Sequence, residues 1–239
     1  MLLTWGPVVR LRNVARSIGL TRLIGKWRNA AGYEERFGNS MLQAVRPGDT
    51  VWDVGANVGF YTAKFSDATG ERGTVVAFEP VPGCFQRLSQ QVLGRSNVRL
   101  VNAGLGRSSG TVSFDVGDGS VHPNARIVEG GASGGGKVLQ LPVYTGDDAV
   151  RAQGLPAPNL AKIDVEGFEL DVLTGMETVL RSSECRDVFV EIHFGLLNSR
   201  GMPGAPDEIV SRLRGCGYDV RWIDASHIHA SRARAGEGR

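Results

Sequence analysis

Asp53-Val54-Gly55-Ala56-Asn57-Val58-Gly59 carries the pattern of a strand that turns sharply into a helix. An apolar run, Thr50-Val51-Trp52-Asp53-Val54, enters it after the turn-forming Pro47-Gly48-Asp49. Helical spacing over 60–68 leaves it. Without Cβ atoms, Gly55 and Gly59 let backbone come close to a ligand. The spacing Gly-x-x-x-Gly is not the G-x-G-x-x-G of dinucleotide sites, and no G-K-[ST] makes it a phosphate-cradling loop. Asp53 ends the strand as an anion aimed into the loop. It would repel a pyrophosphate and suit a cationic amino group, which favours an aminoacyl-bearing cofactor over NAD.

Outward from this stretch the pattern repeats. A β-branched run over 74–78 ends at Glu79-Pro80, with Glu79 twenty residues after Gly59. An acid at that place can accept hydrogen bonds from both hydroxyls of a ribose. A helix over 82–93 and a strand over 98–101 follow, then the small residues Asn102-Ala103-Gly104. Further strands are expected over 111–116, 139–143, 160–163, 188–194, 218–223 and 227–230. Helices are expected over 167–180 and 206–214. Strands alternating with helices predict an α/β fold: a doubly wound, mainly parallel sheet covered on both faces. Residues 117–137 hold seven glycines in 21 positions and read as a flexible loop, either a lid or an insertion.

Composition is that of an ordinary globular chain, with 41% hydrophobic and 22% charged residues. The net charge is only +2, but residues 1–50 hold eight Lys/Arg against three Asp/Glu. The last fourteen residues add +2, so the body is acidic at −5. Apolar positions at helical spacing over 8–28 face a side bearing Arg10, Arg12, Arg16, Arg22, Lys26 and Arg28. Such a helix packs on the main domain or makes peripheral contact with an anionic membrane. The expected organisation is a basic helical extension over 1–45, a catalytic domain over 46–231 and a frayed tail over 232–239. Three scattered cysteines fit a reducing compartment, no run approaches 18 apolar residues, and early arginines interrupt any leader, so a cytoplasmic protein is expected.

Four blocks together resemble the class I S-adenosylmethionine-dependent methyltransferases, and more narrowly the FkbM-type family, over about residues 33–225. They are Val51-Trp52-Asp53-Val54-Gly55-Ala56-Asn57-Val58-Gly59-Phe60-Tyr61-Thr62, Phe78-Glu79-Pro80, Lys162-Ile163-Asp164-Val165-Glu166-Gly167-Phe168-Glu169 and Val190-Glu191-Ile192-His193. The resemblance implies a seven-stranded Rossmann-like sheet, S-adenosylmethionine as cofactor, and methyl transfer to a hydroxyl of a natural product or sugar. Carried onto this chain, the expected cofactor set is Asp53, Gly55, Asn57, Gly59, Glu79, Asn102, Ala103 and Asp164.

The second half of the site is also legible from the residues themselves. Asp164 ends a strand at the carboxyl edge of the sheet, where open α/β folds place ligands, and Glu166 precedes a helix. Glu191 and His193 alternate with Val190 and Ile192, so they are expected on one face of a strand. His193 is the expected general base, oriented by Glu191, with Asp164 and Glu166 lining the pocket of a small-molecule hydroxyl acceptor. A divalent cation held by Asp164, Glu166 and Glu191 is the rival arrangement, and spacing alone does not favour it. The [DN]-P-P-[FY] tetrapeptide of many N-methyltransferases is absent, no cysteine falls at that edge, and the acidic body speaks against RNA. An NAD-dependent oxidoreductase and a non-catalytic membrane- or partner-binding module are the alternatives from other classes.

Overall fold

The computed structural model describes residues 30–115, 126–127 and 138–232. In chain order the first elements are α1 (Ala30–Ala44), β1 (Thr50–Val54), α2 (Phe60–Thr69), β2 (Thr74–Phe78), α3 (Pro82–Gln91), β3 (Val98–Val101), β4 (Gly104–Leu105) and β5 (Gly110–Asp115). Then come β6 (Arg126–Ile127), β7 (Val138–Tyr144), α4 (Gly146–Arg151), β8 (Leu160–Ile163), α5 (Glu169–Thr174), α6 (Glu177–Arg181), β9 (Asp187–Glu191), α7 (Phe194–Ser199), α8 (Ala205–Gly215), β10 (Asp219–Trp222) and β11 (His227–Ser231). Seven strands form the main sheet in the order β10-β11-β9-β8-β1-β2-β3. The pairs β1–β2, β1–β8, β2–β3 and β8–β9 are parallel, and β11 runs antiparallel to both β9 and β10.

Both faces of this sheet are covered, which explains why its strands read as near-continuous apolar runs. Trp52, Val76, Phe78, Ala161, Ile163 and Val188 face a core completed by Leu170, Leu173, Leu180, Ile209 and Leu213 from α5, α6 and α8. One residue along, Val51, Val75, Leu160 and Phe189 turn the other way, against Phe37 and Met41 of α1 and Phe65 of α2. Each fully buried side chain of this size contributes about 1.5–3 kcal/mol. The expected doubly wound, mainly parallel, seven-stranded sheet is therefore the observed one. A second sheet, β4-β7-β5-β6, is not hydrogen-bonded into it and packs through Leu105 on the main core and through Leu141 on Val81 and Cys84.

Four local expectations change. The helix expected over 167–180 is two helices, α5 and α6, separated at Gly175-Met176. Asp147 forces the break: its N–H donates to Gly175 O, while its carboxylate accepts the N–H groups of Thr178 and Val179 and caps α6. The strand expected over 188–194 stops at Glu191, where pairing with β11 ends. His193 instead stands at the N-cap position of α7, a helix not foreseen in the sequence, with no capping bond from its side chain. Arg232 is not frayed: it donates to the carbonyls of Leu180, Cys185 and Cys216 and lies over the Tyr218 ring. Within the expected loop over 117–137, Arg126–Ile127 pair with β5. The other residues of that loop, the expected helix over 8–28 and residues 233–239 lie outside the described residues. Among the described residues, no helix is long and apolar enough to cross a membrane.

Candidate active site

The parallel strands deliver their carboxyl ends to one edge, and the candidate residues gather there. Gly55 has φ +78, and a Cβ on it would stand 1.9 Å from the carbonyl oxygen of Asp164. Only glycine lets the loop after β1 lie this close to the loop after β8. The N–H groups of Gly55 and Ala56 both donate to Phe78 O, so the loop is also fastened to the end of β2. Asn57 is left-handed at φ +50, and its N–H donates to Glu79 Oε2 at 2.9 Å. The N–H of Val81 donates to Glu79 Oε1 at 2.8 Å. Gly59, at φ +90, then opens α2.

Glu79 is thus a buried carboxylate between two loops. Burial pushes it up to about 7, against the pull of two N–H donors and of Lys162. Asn102 stands beside it, its amide donating to the carbonyls of Glu79 and Pro80. Ala103 is buried.

Asp53 is placed differently from the expectation of an anion open to the loop. It is fully buried; Oδ2 accepts from Thr62 Oγ1 at 2.6 Å. Oδ1 faces Lys162 Nζ at 3.1 Å, an ion pair lying off the hydrogen-bond direction. The cation that answers Asp53 is therefore the chain's own Lys162, 3% exposed. Lys162 also donates to Gly55 O at 3.1 Å and approaches Asp164 Oδ2 at 3.3 Å. Burial alone would lower its ammonium, but Asp53 and then Asp164 hold it above the ordinary lysine range. One buried lysine so ties the glycine loop, β1 and the end of β8 together. Its signal in the sequence was a lysine inside an otherwise apolar strand, Leu160-Ala161-Lys162-Ile163, because a buried charge requires a partner.

Beyond Lys162 the four expected acceptor-side residues form a cup. His193 Nε2 lies 3.5 Å from Glu166 Oε2, 3.7 Å from Asp164 Oδ1 and 4.0 Å from Glu191 Oε1. All four side chains are partly exposed. Glu166 sits in the left-handed region at φ +50, an uncommon conformation for glutamate that turns the chain between Asp164 and α5.

The residue that orients His193 is not Glu191 but Glu169, which the sequence reasoning did not single out. Glu169 is fully buried at the first turn of α5, and Nδ1 of His193 donates to its Oε1 at 2.7 Å. The same oxygen accepts the N–H of Gly167 at 2.8 Å. Glu191 turns its other oxygen to Nε2 of His227 at 3.4 Å, and His227 is held in turn by Asp224. Burial would lower His193, yet the hydrogen bond to Glu169 and the charges of Glu169, Asp164 and Glu191 push it up to about 9. These charges favour the ring's second proton, which a general base, or a ligand to a metal ion, must shed first.

Residues 53–220 match the model of the Methyltransferase FkbM domain. The chain is 33% identical over 157 residues to the hexuronic acid methyltransferase AglP of Haloferax volcanii, covering 65% of this chain and 61% of AglP. It is 31% identical over 204 residues to the 31-O-demethyl-FK506 methyltransferase FkbM of Streptomyces tacrolimicus, covering 74% of this chain and 75% of that protein. The crystal structure of Methyltransferase FkbM from Methylobacillus flagellatus KT superimposes with a TM-score of 0.50 at 15% identity, over 81% of this chain and 50% of that one, a likeness of fold. The chain thus spans about three-fifths of AglP and half of the Methylobacillus protein.

Proposed function

The chain belongs to the FkbM methyltransferase family, and on that footing we propose that it transfers the methyl group of S-adenosylmethionine to a hydroxyl oxygen of a sugar or another hydroxylated small molecule. One observation carries this reading. The loop from Gly55 to Gly59 and the cup of Asp164, Glu166, Glu191 and His193 are adjacent at one sheet edge, bridged by Lys162. The names of two relatives, one acting on a hexuronic acid and one on a 31-O-demethyl compound, point to oxygen as the accepting atom.

The residues present fit the cofactor. Glu79 offers a carboxylate, acceptor-only when ionised, at the end of β2, suited to two ribose hydroxyls. The backbone of Gly55, Asn57 and Gly59 lines the approach from β1, and Asn102 with Ala103 closes the end where a flat base would lie. Asp53 acts through Lys162, holding the cup against the loop. When bound, S-adenosylmethionine supplies a sulfonium methyl group whose transfer leaves a neutral thioether. The acceptor hydroxyl donates into the cup and loses its proton to a carboxylate oxygen of Asp164, Glu166 or Glu191, or at alkaline pH to Nε2 of His193. Alignment of the acceptor contributes most of the rate, up to about 7–11 kcal/mol in favourable cases.

The test is incubation with methyl-labelled S-adenosylmethionine and a panel of sugars and hydroxylated natural products, with the product read by NMR. A methyl ether is expected. Label found only on nitrogen or on RNA would contradict the reading.

Glu79 adds an expectation on pH. Its carboxylate must be ionised to accept from ribose, and it titrates near 7 in the folded chain. Binding therefore strengthens as pH rises, by about tenfold between pH 6 and pH 8. Calorimetry across that window should show the rise in the parent chain and its loss in Glu79→Gln. An affinity equally steep in both would remove Glu79 from the ribose. Stability moves the other way: a carboxyl raised on folding favours the folded state below its ordinary pKa of 4.5, and that contribution is lost as pH climbs through about 7.

A further inference from the structure

We propose that the cup is a binding site for one divalent cation of the Mn2+ kind, ligated by Asp164, Glu191 and Nε2 of His193. Residue spacing alone does not favour a metal; the side-chain geometry does. The three ligand atoms all lie within 4.8 Å of one another. Atoms about 2.1 Å from a shared ion stand about 3.0 Å apart when adjacent and about 4.2 Å apart when opposite. The observed separations from Nε2, 3.7 Å to Asp164 and 4.0 Å to Glu191, lie between these two values, so the side chains need close by no more than about 1 Å to share one ion. They are too long for hydrogen bonds to the ring.

Each ligand is also held from behind by a different partner. Asp164 gives Oδ2 to Lys162 at 3.3 Å and turns Oδ1 to the cup. Glu191 gives Oε2 to His227 at 3.4 Å and turns Oε1 to the cup. His193 gives Nδ1 to Glu169 at 2.7 Å and turns Nε2 to the cup. Three side chains from the ends of two strands thus present one atom each to a common point. Outer partners of this kind fix ring orientation and ligand basicity in metal sites, the carboxylate–histidine–metal arrangement above all.

A second observation lies outside the ligand set. Glu169 is fully buried, packed against His193, and its Oε2 has no hydrogen-bond partner among the described residues. A buried carboxylate needs positive charge close by. Five carboxylates, those of Asp164, Glu166, Glu169, Glu191 and Asp224, meet two imidazoles, His193 and His227, and the lysine beside Asp164 is shared with Asp53. A divalent ion would correct that imbalance. Imidazole with carboxylate suits Mn2+ and its neighbours better than Ca2+, which takes oxygen alone. Its chemical role rests on the methyl-transfer reading above: a hydroxyl oxygen bound to the ion would ionise nearer neutral pH, and Glu166 would stand beside it to take the proton.

The probe is Mn2+ itself, titrated into the full chain freed of metal by exhaustive chelation, followed by EPR of free Mn2+ and by broadening of the histidine ring signals in NMR. One ion per chain is expected, with the His193 ring broadened before any other histidine. Asp164→Asn and Glu191→Gln, checked for folding by circular dichroism, should each weaken binding at least tenfold, whereas Glu177→Gln on the distant α6 should not. Binding that is absent, that spares the His193 ring, or that survives both variants unchanged would overturn the site. The ring signal needs no variant, so a misfolded mutant leaves the test intact. S-adenosylmethionine binding measured on the same chelated sample separates the two ideas: retained binding without Mn2+ uptake removes the metal and leaves methyl transfer standing.

Discussion

Lys162→Met is expected to lower folding stability by about 3–5 kcal/mol, the cost of leaving a buried carboxylate without its cation. Asp53 is fully buried and Lys162 is 3% exposed, so water cannot take the place of the missing ammonium. The carbonyl of Gly55 and Oδ2 of Asp164 lose the same partner. The measurement is denaturant unfolding of both chains under the linear-extrapolation treatment, with the slope checked for constancy. The double variant Asp53→Asn, Lys162→Met should recover a large part of the loss, because the uncompensated charge is then gone. A loss under about 1 kcal/mol in the single variant, in the range of an exposed pair, would mean that the ion pair is not the structural tie described here.

His193→Ala is expected to lower turnover at alkaline pH by about 10²–10⁴-fold, the range for removing a group that handles the reacting proton, and less at neutral pH, where the ring's second proton is favoured. The same variant should change the dissociation constant of S-adenosylmethionine less than threefold, since His193 lies in the cup and not against Glu79 or the glycine loop. Glu169→Gln touches the reaction only through the ring and should cost about 10–100-fold. Steady-state assays for kcat and calorimetry for the cofactor separate these effects. Near-normal turnover in His193→Ala, or a parallel collapse of cofactor binding, would take His193 out of the chemistry.

The contrast between Asp53 and His193 shows which parts of this molecule its sequence exposes. The strands and the sheet edge were legible because strands buried on both faces leave unmistakable apolar runs, punctuated by glycines whose φ no other residue adopts readily. Gly55, Glu79, Asp164 and Glu191 fall at the ends of those runs, so their meeting at one edge follows from a parallel sheet. What could not be read were the partners of each charge. Lys162 neutralises Asp53 only because β8 lies beside β1 in a register that sets Lys162 against Asp53. Glu169 reaches His193 across 24 positions of sequence, and the end of β9 at Glu191 is set by pairing with β11. The break between α5 and α6 likewise depends on Asp147, some thirty residues away. Local periodicity carries no trace of such contacts, although a lysine within an apolar strand was a clue.

The central claim is that S-adenosylmethionine binds where the turn after β1 meets Glu79. Isothermal titration calorimetry of the full chain with S-adenosylmethionine and, separately, with NAD tests it most directly. Saturable binding of one S-adenosylmethionine per chain is predicted, lost or weakened at least tenfold in a folded Glu79→Ala variant, with no heat from NAD. Binding of NAD in its place, or S-adenosylmethionine affinity unchanged by Glu79→Ala, would contradict the account.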